Sequence, residues 1–113
     1  MNAWTALVVA GAFEVGFTFC MKMSQNFTKG WWVLAFFVCT ISSFEFLSEA
    51  TRTIPLGTAY AVWTGIGAVG TALVGIALFK EPATFWRLFF LTLLVGSIIG
   101  LKLVSRESPG APA

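Results

Sequence analysis

Glu14 is a lone carboxyl inside an apolar run, residues 3–21, that is long enough to span a bilayer. A charge at that depth costs several kcal/mol, so intramembrane carboxyls by default mark ion or proton pathways. The structural alternative is a carboxyl kept protonated or paired inside a helix interface. If two copies of the chain brought two Glu14 carboxyls toward one cavity, burial and like charge would both disfavour ionisation. Such a carboxyl can hold a proton or an organic cation, but not both, and that competition is a simple coupling device. Around it, Trp63 could offer a ring face to a cation. The Tyr60 hydroxyl, and Ser42 or Ser43, could orient the carboxylates by hydrogen bonds. Tyr60 lies three residues before Trp63, on the same helix face, and Trp63 sits too deep in its run for a simple interfacial role. Glu45 and Glu49 form a second acidic pair, with Arg52 three residues on. They read as a snorkelling, partly paired cluster at the interface, Glu45 being the deeper and a candidate for a cavity mouth or a partner contact.

The elements that must carry these residues are four apolar runs, at 3–21, 31–50, 58–79 and 85–104. Each has close to the ~20 residues needed to cross the hydrocarbon core. The breaks at 22–30, 51–57 and 80–84 are short and polar. Residues 1–104 are expected to form one four-helix transmembrane domain, with 105–113, rich in Pro, Gly and Ser, as a frayed tail. Of 113 residues 58% are hydrophobic and only 11% charged, about half the charge of a soluble domain. The fold class is all-α integral membrane. The start lacks a basic n-region and a small-residue cleavage site, so it is not expected to be a cleavable signal peptide. Trp4, Trp31, Trp32 and Trp86 near the run ends fit an aromatic belt.

Several function classes drop out. The net charge of +2 is scattered, which argues against nucleic acid. There is no His, and Cys20 and Cys39 stand in different runs as small hydrophobes, so neither a metal site nor a cofactor is expected. No nucleophile–base pair or phosphate loop points to an enzyme.

Loop charge is almost balanced. Lys22, Lys29, Lys80 and Arg87 fall on one side, and Arg52, Lys102 and Arg106 on the other. Either the chain inserts both ways round and opposite-facing copies pair as an antiparallel, dual-topology dimer, or a small bias still yields one orientation. Four helices without an internal repeat are few to enclose a cavity, and an antiparallel pair would supply the inverted half. Thr92, Gly96 and Gly100 make a small-residue stripe suited to dimer packing. Gly65, Gly67 and Gly70 cluster mid-helix, which suggests a hinge or tight packing.

The segments Phe13-Glu14-Val15, Met21-Lys22, Phe27-Thr28 and Ile54-Pro55-Leu56-Gly57-Thr58-Ala59-Tyr60-Ala61-Val62-Trp63-Thr64-Gly65-Ile66-Gly67 resemble the small multidrug resistance transporters. Phe79-Lys80-Glu81-Pro82 and Gly100-Leu101-Lys102 add to the likeness, which spans nearly the whole chain. The resemblance implies four-helix subunits, antiparallel dimers, and proton-coupled export of small organic cations across the bacterial inner membrane. The third-run block and the Lys80-Glu81-Pro82 loop look like the guanidinium-exporting subtype. By matching position Glu14 would be the shared proton and substrate carboxylate, with Ser43, Tyr60 and Trp63 as its shell. A planar guanidinium suits carboxylates through several N–H donors at once. Two positions depart from that subtype: Phe17 stands where a Trp is usual, and Glu45 where an uncharged residue is usual. Those departures also fit an exporter of quaternary ammonium and other lipophilic cations, or one subunit of a heterodimer rather than a homodimer. A non-transporting partner subunit of another membrane protein is the reading of a different class, and the Glu14, Tyr60 and Trp63 set argues against it.

Overall fold

The computed structural model describes residues 2–104; the tail at 105–113 lies outside the described residues. Four helices follow one another: α1 (Ala3–Met23), α2 (Gly30–Ala50), α3 (Leu56–Leu78) and α4 (Phe85–Val104). All four are long and apolar enough to cross a membrane, so the chain is a multi-pass membrane protein. The helix bounds fall within two residues of the apolar runs.

Local chemistry sets the ends. The Asn2 side chain caps α1 by accepting the Trp4 N–H at 2.8 Å. At the other end Ser24 is buried; its hydroxyl donates to the Met21 carbonyl (2.7 Å) and accepts the Phe27 N–H (2.9 Å). That turn then runs through Gln25, Asn26 and Phe27 with positive φ, an uncommon conformation for residues with a side chain. Pro55 directly precedes α3, where its missing N–H is no loss. Beyond α3 the chain turns at Lys80 (φ 54°), and the Glu81 N–H donates back to the Gly75 carbonyl at 3.1 Å.

Helix α1 is the hub, packed against both α2 and α3, whereas α4 packs mainly on α3, its Lys102 reaching Trp4 of α1. The densest core lies toward the N-terminus and the second loop. There Ala6, Leu7 and Ala10 of α1 meet Leu47 and Ala50 of α2, Ile54, and Ala59, Val62 and Trp63 of α3. Trp4 belongs to this core and lies near Lys102, whose Nζ is 5.7 Å from its ring centre, so it departs from the expected belt; Trp31 and Trp86 are exposed as a belt requires. The α3 helix continues unbroken through Gly65, Gly67 and Gly70, and each admits a neighbour: Ile98 of α4 at Gly65, Glu14 at Gly67 and Val15 at Gly70. Of the two readings of that cluster, tight packing is the one with contacts behind it. Cys20 and Cys39 are free thiols.

A polar chain ties three helices together inside this core. The Trp63 indole N–H donates to Ser43 Oγ at 2.9 Å, and the Ser43 hydroxyl donates to the Ala10 carbonyl at 2.7 Å, both buried. A buried donor left without its acceptor costs about 1–3 kcal/mol. Ser43→Ala should therefore lower the stability of the detergent-solubilised protein by that order, seen as a lower thermal midpoint. Adding Trp63→Phe to Ser43→Ala should recover part of the loss, because the orphaned N–H is then gone.

Candidate functional site

Glu14 stands where the dense core gives way to a looser half of the helix pair. Its carboxyl lies against Gly67 of α3, at a spot that a Cβ on residue 67 would occupy. One carboxyl oxygen, Oε1, is buried without a hydrogen-bond partner among the described residues. Burying a polar atom unpaired is costly, so this oxygen is an acceptor in want of a donor.

The carboxyl lines a cavity of about 460 Å³ between α1, α3 and the start of α4. That volume falls within the ~300–1,000 Å³ range of small-ligand sites. The lining has a simple helical logic. Glu14, Thr18 and Lys22 follow one another at four-residue spacing along α1, and Gly67, Thr71 and Gly75 do so along α3. The two helices thus present facing rungs, each about 6 Å from the next by the rise of four residues. The first rung is carboxyl against glycine. The second is a hydroxyl pair, Thr18 Oγ1 to Thr71 Oγ1 at 2.7 Å. Thr18 also bonds the Val15 carbonyl at 2.9 Å, which uses its single hydroxyl proton. Thr71 must then be the donor within the pair, and its own lone pairs remain open to accept. The third rung, at the mouth, holds Lys22, Glu81 and Arg87. The Lys22 ammonium sits over the Phe79 ring at 5.1 Å. Acceptors therefore recur at each level, in Glu14, Thr71 and Glu81, with the cations Lys22 and Arg87 beside them at the mouth.

The residues picked from the sequence fall into separate groups. Trp63 (7% exposed) and Ser43 are brought together, but away from this cavity. Their bonded chain ends on Ala10, one helical turn before Glu14. Tyr60 packs on Trp63 with ring centres 5.6 Å apart, yet is 57% exposed on the outer face of α3. Phe17 turns toward α2, edge-on to Phe36 at 5.8 Å, and does not line the cavity. Ser42, Glu45 and Glu49 line a shallow groove on α2 instead, with Glu45 and Glu49 exposed. Glu49 pairs with Arg52 at 3.5 Å. At half to three-quarters exposure such a pair contributes little. Gly96 and Gly100 have no atom within 4 Å of where a Cβ would stand, and no residue of α4 is buried.

Thr18, Thr71, Thr64 and the Glu81–Arg87 pair are cavity residues that sequence reasoning passed over. The four-residue step from Glu14 to Thr18 to Lys22 was the available signal.

Four membrane-spanning helices with one partly buried acid lining a cavity of small-ligand size are the architecture of a small membrane carrier. The family description "Small Multidrug Resistance protein" matches residues 2–94, and the chain belongs to the small multidrug resistance family. Among its relatives, "Probable guanidinium efflux system subunit GdnD" of Bacillus licheniformis is 44% identical over 102 residues, covering 90% of this chain and 98% of the relative. "Guanidinium exporter" of Yersinia pseudotuberculosis is 46% identical over 103 residues, or 91% and 99%. "Guanidinium exporter" of Salmonella typhimurium is 48% identical over 101 residues, or 89% and 96%.

The tightness of the Glu14–Gly67 contact has a direct consequence. Gly67→Ala should destabilise the α1–α3 pair by about 1–3 kcal/mol through overpacking. In the Glu14→Ala background the same change should be nearly silent, since the overlapping carboxyl is absent. A double-mutant cycle on thermal midpoints reads this coupling directly.

Proposed function

We propose that this protein exports guanidinium, or a small guanidinyl cation, from the bacterial cell across the inner membrane in exchange for protons. The observation that carries the reading is the Glu14 carboxyl, with an unpartnered buried oxygen, at the foot of a cavity that also holds the Thr18–Thr71 hydroxyl pair and the Glu81 carboxylate. Relatives named as guanidinium exporters support the choice of cation. Guanidinium is planar and carries N–H donors around its whole edge. It satisfies a carboxylate by two parallel bonds and has donors left for a hydroxyl such as Thr71. A proton on Glu14 removes that acceptor, so proton and cation occupy the carboxyl in alternation. Protons arriving from outside displace the cation outward, and the exchange is coupled without any further device.

The functional unit is a dimer, with Glu14 from each subunit bordering one central space. Three features support this. Four helices leave the cavity open on one side. The α4 stripe of Thr92, Gly96 and Gly100 stands uncovered. The Tyr60 ring faces outward, where it would meet a partner rather than its own Glu14. In that arrangement Ser43 and Trp63 hold the α1 backbone next to Glu14, and Tyr60 completes the shell across the interface. The glycines Gly65, Gly67 and Gly70 let α3 tilt against α1 and α4 as the cavity changes sides. Glu45 favours a second arrangement, in which the partner is a non-identical chain. A carboxyl on the exposed face of α2 in an apolar span is costly unless a cation covers it, and a partner chain could bring one.

Two measurements test this. Guanidinium-driven proton movement in proteoliposomes should be present for this chain and absent for Glu14→Gln. Activity with tetraalkylammonium compounds alone, or only after a second chain is added, would overturn the leading reading. Guanidinium binding should strengthen with rising pH, because each deprotonated carboxyl gains the cation. The dependence should not exceed about tenfold per pH unit for each proton displaced. Separately, Gly96→Leu should shift the detergent-solubilised protein from dimer toward monomer in sedimentation, with Gly30→Leu as a control that leaves it dimeric.

A further inference from the structure

The mouth of the Glu14 cavity already holds a guanidinium group, that of Arg87. Its Nη2 donates to Glu81 Oε1 at 2.7 Å, and its Nη1 donates to the Pro82 carbonyl at 3.2 Å. Both side chains line the same cavity as Glu14, and both remain about a third exposed, so the pair is wet and exchangeable. The cradle is built rather than incidental. The Lys80 turn and the Glu81 N–H bond to the Gly75 carbonyl fix the loop, and the Glu81 carboxyl lies on Gly75, where a Cβ would overlap it. Gly75, Thr71 and Gly67 are successive turns of α3, so Glu81 stands one rung above the hydroxyl pair and two above Glu14.

We propose that the Glu81 carboxylate and the Pro82 carbonyl form an outer binding site for a guanidinium cation, occupied in the resting protein by the side chain of Arg87. An arriving guanidinium offers the same donors to the same acceptors, so it replaces Arg87 without leaving the carboxylate unpaired. The cation then meets Thr71 and, one turn deeper, Glu14. Arg87 acts as a tethered competitor. It excludes cations that lack N–H donors, which cannot reproduce its two bonds, and it re-covers Glu81 once the cation has moved inward.

The ligand class here rests on the export reading, so the test uses protein in which Glu14 is replaced and transport plays no part. In Glu14→Gln protein in detergent, guanidinium chloride is titrated against the amide resonances of Gly75 and Glu81, with sodium chloride and tetramethylammonium chloride as blanks. A saturable shift with guanidinium and none with the blanks is expected. Adding Arg87→Gln should tighten the apparent Kd about fivefold, the worth of a half-exposed pair. Arg87→Lys, which keeps the charge but not the fork, should fall between. Glu81→Gln should abolish the titration. If Glu81 and Arg87 were only a structural strut, removing either would act in the same direction, and a weaker or unchanged Kd in Arg87→Gln overturns the site. So does a titration that survives Glu81→Gln, or the absence of any saturable shift. Should the native chain fail to move guanidinium in vesicles while these shifts persist, the outer site stands and the export reading falls.

Discussion

A carboxyl halfway along a membrane-spanning helix needs cover from lipid, and the close approach of α1 and α3 at Glu14 and Gly67 covers one of its oxygens. Almost any side chain at residue 67 would push the helices apart and open the acid to lipid, where its cost is several kcal/mol. The same contact divides the molecule. On one side of it lie the apolar core and the Trp63–Ser43–Ala10 chain, which hold the helices in register. On the other side the small residues of α3 leave room, and the room is the cavity. Packing and access are thus set by one row of residues on one helix.

Helix α4 is the least covered element of the chain. No residue of α4 is buried, and its close backbone approach is to α3. In water this would be a large exposed apolar face; in a bilayer lipid covers it without a hydrophobic cost, so association is left to close packing and polar contacts. Exposed Leu and Phe are satisfied by lipid, whereas the uncovered glycines at 96 and 100 leave the α4 backbone open to close approach.

The four spans and the central acid were legible in the sequence, because hydropathy over twenty residues is strong and an unpaired Glu within it is conspicuous. The grouping around Glu14 was less so. Ser43 and Trp63 do come together, yet they face the core rather than the cavity. Tyr60, three residues from Trp63, points outward at the rim of the core although its ring still packs on the indole. Spacing along one helix says which residues share a face but not which neighbour that face meets. Thr18 and Thr71 escaped notice because a threonine in an apolar run is ordinary. Only the crossing of α1 and α3 turns two ordinary residues into a hydroxyl rung. Glu81 and Arg87 looked like loop charges until the Lys80 turn folded them over the cavity mouth.

The two halves are linked through the backbone of α1. Ser43 donates to the carbonyl of Ala10, one turn before Glu14, so the buried indole of Trp63 on α3 fixes the segment that aims the acid. Sliding α3 along α1 would move Gly67 off the carboxyl and shift Thr71 against Thr18, but it would also strain the Trp63–Ser43 bond. That bond's geometry tolerates only a few tenths of an ångström before it weakens. Any relative motion of α1 and α3 that keeps this bonded chain intact is therefore smallest near Trp63 and largest at the far end, where Glu81 and Arg87 stand.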